Sequence, residues 1–296
     1  MLINNQFYWH EFFVNLSMHI HHVIPIEVNH LFPVLDTKLI ELLRSLPDEG
    51  WHRPTIAGEW NVKDIAAHLL DGNLRHLSLA RDKYYGDIPE DIGGYNDLVA
   101  YLNRLNADWV KTYKRISPRV LTDLLETTGK EYTDYITTLD PWAEAIFPVA
   151  WAGEEISTNW FHIAREYTEK WIHQQQIRDA LGKEPLFEKE LYHPFIATMM
   201  CGLPNQYKNT AADTGTSVMV TIQELDEEWH INKTDEGWVL RRETRLEPDS
   251  KITLDMDTAW RLFSKGITPD EALEKVKIEG DEALGKVALG MVSVMA

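Results

Sequence analysis

Four residues of one stretch, His162, Glu166, Glu169 and His173, stand four, three and four positions apart. On a helix that register stacks their side chains along one stripe. The stripe runs beside Trp160, Ile163 and Ile177, which turns part of it toward a protein interior. Ionisable groups there are costly unless something pairs with them. A divalent cation does so, because neutral imidazole and carboxylate are among its common ligands. Glu169 and His173 lie one turn apart, close enough to hold one ion, and a second helix must then supply another ligand. His68, flanked by Ala66, Ala67, Leu69 and Leu70, is the candidate, since an imidazole in such apolar company points inward. Two histidines and one glutamate leave coordination positions for water or substrate, as a reactive site requires. Spacing alone leaves alternatives open. His162 and Glu166 compete as the ligand pair, and a hydrogen-bonded core histidine with solvated carboxylates has the same pattern. His76, eight residues after His68 and on nearly the same face, could approach the region but reads as a solvated side chain.

The elements that must position these residues are legible as periodicity. Leu35, Leu39, Leu42, Leu43 and Leu46 recur at helical steps, and Pro47, Asp48 and Gly50 end that run. Asn61 and Asp64 stand in capping-box spacing, which predicts a helix from Val62 to about Tyr84. A third helix is expected over roughly 95–127, with a kink or break at Ser117-Pro118, and a fourth from about Ser157 to Leu181, closed by Gly182. Four long amphipathic helices predict a bundle. Beyond the linker Lys183 to Pro185 the texture changes to short segments. Strands are expected at Ser217 to Ile222, Glu228 to Asn232, Gly237 to Arg242, Lys251 to Leu254 and Val276 to Glu279. A capped short helix is expected after Thr268 and a last helix at Glu282 to Val294. The fold class is therefore α+β: a four-helix bundle over 25–182, then a smaller mixed α+β domain over 190–296. Residues 1–24, rich in aromatics and histidine without a period, read as an appended arm.

Composition narrows the function. The chain of 296 residues carries a formal net charge of −18, which disfavours a nucleic-acid partner because phosphate binding needs a basic face. No apolar run approaches the roughly 18 residues of a membrane span. A single cysteine, Cys201, excludes an intrachain disulfide framework and any site of several thiolates, and reads as buried rather than reactive. The absence of Lys or Arg before Lys38 leaves no basic leader, so the expected location is cytoplasmic. Trp51 and Trp60 read as packing a loop onto the bundle, Asp64 as a helix cap that could also orient His68, and Asp71 with Arg75 as a helix-face ion pair.

The stretch Trp60 to Asp71, W-x-V-x-D-x-x-x-H-L-x-D, resembles the first signature of the mycothiol-dependent maleylpyruvate isomerase family, within the larger DinB-like metal-binding four-helix bundles. Arg165 to Asp179, with its E-x-x-x-H pair, resembles the second. The tail from Lys251, with Asp255, Trp260, Gly266 and Ile278-Glu279-Gly280-Asp281, resembles the sterol-carrier-type C-terminal domain of those isomerases. The resemblance implies that His68, Glu169 and His173 are metal ligands. It implies a divalent metal, zinc first, with nickel, iron or manganese as alternatives, and a low-molecular-weight thiol as cosubstrate. It also implies a basic residue of the C-terminal domain that holds an acidic substrate, for which Arg241, Arg242 and Arg261 are the candidates. The expected function is metal-dependent activation of a thiol or water for isomerisation, thiol transfer or hydrolysis of a small organic substrate. The competing readings are a noncatalytic protein that binds metal and an apolar ligand, and a stress-related metal-binding protein without turnover.

Overall fold

The computed structural model describes residues 25–86, 93–225, 227–241 and 247–292, and the expected arm at 1–24 lies outside them. Helix α1 spans Phe32–Arg44 with Pro33 in its first turn, where a missing N–H costs nothing. Helix α2, Val62–His76, starts at the expected capping box: Asp64 N donates to Asn61 Oδ1 at 3.0 Å and Asn61 N donates to Asp64 Oδ2 at 3.2 Å. The expected continuation to Tyr84 takes a different form. The chain widens into a π-helical turn over Leu77–Arg81, where Asp82 N reaches Leu77 O at 2.9 Å.

The long third helix of the sequence reading divides at Ser117-Pro118 into α3, Tyr95–Tyr113, and α4, Pro118–Ile136. Ser117 caps α4 through the amide of Val120 at 3.3 Å. The two halves have different jobs. Helix α4 packs on α1 and α2 inside the bundle, whereas α3 packs chiefly on the outer side of α2. There Trp109 Nε1 donates to the carbonyl of Ala67 at 2.8 Å. Helix α5, Asn159–Ala180, completes the bundle of α1, α2, α4 and α5. It is followed by Gly182 at φ 61, a left-handed position that glycine adopts without strain.

The segment after the linker contains a helix that the sequence reading does not contain: α6, Lys189–Met200, followed by the short α7, Leu203–Tyr207. Pro194 interrupts the helical signal, and Phe195 to Met200 are all buried, so no polar face marks a period. Trp171 of α5 stacks on Phe195 with ring centroids 3.9 Å apart. Helix α5 is thus covered by bundle helices on one side and by α6 on the other. That explains why residues along most of its circumference are buried, the polar Gln174, Gln175 and Gln176 included.

The remaining chain forms a five-stranded sheet in the order β3-β2-β1-β4-β5. Its strands are β1 Ser217–Ile222, β2 Glu228–Thr234, β3 Gly237–Arg241, β4 Ser250–Leu254 and β5 Lys277–Gly280. Strands β1 and β4 are parallel and the other neighbours antiparallel. Helices α8, Met256–Phe263, and α9, Pro269–Leu273, connect β4 to β5, and α10, Glu282–Leu289, packs back on both. The α9 capping box at Thr268 and Glu271 forms as expected. One hydrophobic cluster runs from Phe32 and Trp171 through Phe195 and Met199 to Val220, Ile252 and Trp260, joining the helical half to the sheet half. A second, smaller cluster around Leu43, Ile65, Leu70 and Leu121 fills the bundle.

Candidate metal centre

Helices α2 and α5 bring His68, Glu169 and His173 together. One ligand atom from each lies within 4.8 Å of the others, and the imidazoles of His68 and His173 meet edge-on with centroids 4.6 Å apart. His173 Nδ1 is 2.8 Å from Oε1 of Gln176, one turn along α5. A carboxamide oxygen only accepts, so the Nδ1 proton is fixed there and Nε2 keeps its lone pair. That Nε2 stands 3.3 Å from Glu169 Oε2. Two electron-rich atoms so close call for a proton or a cation between them. His68 Nδ1 is buried and has no hydrogen-bond partner. Burial holds the His68 imidazole well below its usual pKa, with the neighbouring His173 acting in the same direction. A neutral, desolvated imidazole with a free nitrogen, a carboxylate and a tautomer-locked second imidazole form a donor set that fits a borderline divalent ion.

The surroundings add residues that sequence reasoning had not placed here. The indole of Trp60 lies 4.9 Å from the His68 ring and 6.3 Å from the His173 ring, so it walls the site rather than only packing a loop. Trp51, by contrast, is buried in the bundle core. Gln176 is the orienting group for His173, and its position three residues later on a helix was the available signal. Arg75, two turns along α2 from His68, is a cation whose charge acts on the His68 ring. Its Nε is 2.8 Å from Asp71 Oδ2 and its Nη2 is 3.5 Å from Asn106 Oδ1. Asp64 is engaged in the α2 cap and Cys201 is buried, its thiol pushed up to about 12 by burial.

The expected substrate-holding arginines lie differently. Arg261 on α8 is held to Asp179 of α5 at 3.2 and 2.5 Å and to Asp257 at 2.9 Å. It also lies over the Trp260 ring at 4.5 Å. Its Nε, Nη1 and Nη2 all donate to carboxylates, and it ties the sheet half to the end of the helix that carries Glu169 and His173. Arg241 is an exposed residue at the end of β3, opposite His230, and Arg242 falls outside the described residues.

A second convergence occupies the other end of the same helix pair. His76, expected to be solvated, has a side chain only 12% exposed. It stacks on His162 with centroids 5.4 Å apart and faces Glu166. The competing pair of the sequence reading is therefore a separate cluster: His76, His162 and Glu166 offer ligand atoms within 4.8 Å of one another. Burial, then Arg165, holds His162 well below its usual pKa. For Glu166, burial pushes upward, but Arg165 and then His76 outweigh it and hold the carboxyl well below the usual range.

Among the described residues no helix is long and apolar enough to cross a membrane. No curated protein sequence matches the chain. Its fold is that of the mycothiol-dependent maleylpyruvate isomerase. The crystal structure of that enzyme has a TM-score of 0.54 at 10% identity, over 89% of this chain and 96% of that one. A histidine-to-alanine variant of the same enzyme gives a TM-score of 0.50 at 11% identity over the same shares. The sequence model of the mycothiol maleylpyruvate isomerase N-terminal domain matches residues 33–178, which run from the first turn of α1 to the last turn of α5 and include all three triad residues. Residues 33–178 of the chain therefore belong to the mycothiol maleylpyruvate isomerase N-terminal domain family.

Proposed function

We propose that the chain is a metal-dependent enzyme that uses a low-molecular-weight thiol, mycothiol first among them, on a small conjugated organic acid of the maleylpyruvate type. The observation that carries this reading is the convergence of His68, Glu169 and His173 within 4.8 Å, with Gln176 fixing the tautomer of His173. A bound divalent ion would supply Lewis acidity, lowering the pKa of a coordinated thiol or water so that a nucleophile is available near neutral pH. The chain's residues provide the rest. His68 and His173 present neutral nitrogens, and Glu169 contributes the one negative charge among the ligands. Trp60 walls the site and excludes water from one side of it. The chain supplies no reactive thiol of its own, because Cys201 is buried and its thiol pKa is about 12. An external thiol is therefore the sulfur nucleophile that suits this site.

For isomerisation, reversible addition of the thiol across a carbon–carbon double bond permits rotation, and elimination returns the thiol. No net proton or electron is consumed. Arg75, beside His68, is the cation placed to attract a substrate carboxylate, and Arg241 remains a candidate from the sheet half. Arg261 acts as a positioning residue through Asp179, six residues beyond His173 on α5.

The test pairs metal analysis with turnover. Purified full-length protein is loaded with zinc, supplied with mycothiol and maleylpyruvate, and isomerisation is followed by absorbance, beside a panel of other thiols and electrophiles. The expected result is zinc bound at the triad in the wild type, loss of that one equivalent in His173→Ala, and thiol-dependent turnover that disappears with it. A protein that takes up no divalent metal, or a loaded protein silent across the whole panel, overturns the proposal.

A further inference from the structure

We infer that His76, His162 and Glu166 form a second divalent-cation site, separate from the triad and guarded by Arg165. The two clusters are stacked along one helix pair. His76 follows His68 by eight residues on α2, about 12 Å at the helical rise. On α5 the pair His162/Glu166 precedes Glu169/His173, as antiparallel packing requires. Each cluster therefore contains one histidine from α2 and a histidine and glutamate four apart on α5, in mirrored order.

The local chemistry repeats as well. His76 Nδ1 lies 2.9 Å from the carbonyl of Gly72, which can only accept, so the proton sits on Nδ1 and Nε2 keeps its lone pair. This is the arrangement that Gln176 imposes on His173, and it is how ligating histidines are usually oriented. His76 Nε2 then stands 3.3 Å from Glu166 Oε1, and both atoms are buried without a hydrogen-bond partner of acceptable geometry. Two such acceptors facing each other away from water are unfavourable unless a positive charge lies between them.

The positive charge now present is Arg165. Its Nη2 is 2.7 Å from Glu166 Oε1 and 2.8 Å from His162 Nδ1, while its Nε is buried and unpaired. A planar guanidinium reaches two of the three groups with one nitrogen and leaves another donor unsatisfied. A compact divalent ion reaches all three. Access exists, because His76 and His162 line a cavity of about 230 Å³ together with Lys83, Tyr135 and Asn159. Two imidazoles and one carboxylate select a borderline ion such as Zn2+, Co2+ or Ni2+ over Mg2+ or Ca2+. Displacement of Arg165 makes this the weaker of the two sites.

The test is a Co2+ titration of the metal-free full chain, followed by visible absorption and elemental analysis. Wild type should take two equivalents, the second more weakly. His173→Ala should keep the one at His76, and Glu166→Gln should keep the one at the triad. Arg165→Met should tighten the second equivalent by at least tenfold. Should these variants fail to fold by circular dichroism, His76→Gln, a near-isosteric change in the cavity wall, is the replacement and should remove only the second equivalent. A single equivalent that His76→Gln removes and His173→Ala spares supports this site while sinking the triad. Saturation at one equivalent that His173→Ala abolishes, or two equivalents that survive both Glu166→Gln and His76→Gln, overturns the inference.

Discussion

Replacing Gln176 with leucine should weaken zinc binding at the triad although Gln176 is not itself a ligand. Oε1 of Gln176 holds the His173 Nδ1 proton at 2.8 Å and thereby keeps Nε2 bare, 3.3 Å from Glu169. Without that acceptor the ring gains by moving its proton to Nε2, where it donates to Glu169 instead. A metal must then displace a satisfied N–H and carry the ring in the less stable tautomer. Loss of such an orienting partner weakens metal affinity roughly 10- to 100-fold, equivalent to about 1.4 to 2.7 kcal/mol. The assay is competition with a chromophoric chelator at pH 7.5, comparing wild type, Gln176→Leu and Gln176→Glu. The glutamate variant keeps an acceptor and should bind at least as tightly as wild type. Gln175→Leu serves as the control. Gln175 is equally buried on the same helix, but its Oε1 accepts from the Leu186 amide at 2.8 Å, so its loss should lower stability and leave zinc affinity unchanged. A change of less than about twofold in Gln176→Leu, or an equal loss in Gln175→Leu, would refute the tautomer argument, since twofold is about 0.4 kcal/mol.

Three further outcomes are expected. Burial depresses the folded-state pKa of His68 and His162 below the 6.5 of an unfolded chain. Their contribution to stability is therefore present above about pH 6.5 and is lost as the pH falls below it, at up to about 1.4 kcal/mol per pH unit for each. Urea unfolding of the metal-free protein at pH 7.5 and 5.5 measures this, and a flat profile contradicts it. The Arg261–Asp179 pair is bidentate, but its side chains are 18% and 32% exposed, so a double-mutant cycle with Arg261→Met and Asp179→Asn should give a coupling of about 1 kcal/mol. A coupling indistinguishable from zero would mean that the sheet half is docked by apolar packing alone. Cys201, buried with its thiol at about 12, should resist a thiol-specific reagent in the native protein and react fully in denaturant. Native labelling within minutes would contradict the packing around α6.

The bundle was readable because its helices are amphipathic and punctuated by strong local chemistry: the Asn61/Asp64 box, the Ser117-Pro118 break and Gly182 each act within a few residues of themselves. The strands were readable as short segments rich in apolar and β-branched residues between turn residues, Ser217–Ile222 among them. Helix α6 was not, because it is buried nearly all round and contains Pro194, so burial erased the polar face that periodicity needs. The division of the long third helix between a bundle member and an outer helix is likewise a packing outcome, decided by what α2 has on each side.

For the site, the sequence by itself determined which side chains share a stripe, because helical periodicity fixes the register of His162, Glu166, Glu169 and His173 whatever surrounds them. It could not determine how that stripe is partitioned. Only the antiparallel packing of α2 on α5 sets His68 opposite Glu169 and His173, and His76 opposite His162 and Glu166, turning one row of ionisable groups into two clusters. The physical reason is that a helix dictates spacing along its own axis, whereas the height at which a neighbouring helix docks depends on the interlocking of apolar residues from several elements. The same holds for Gln176, Trp60 and Arg261, whose roles exist only once their partners are within reach.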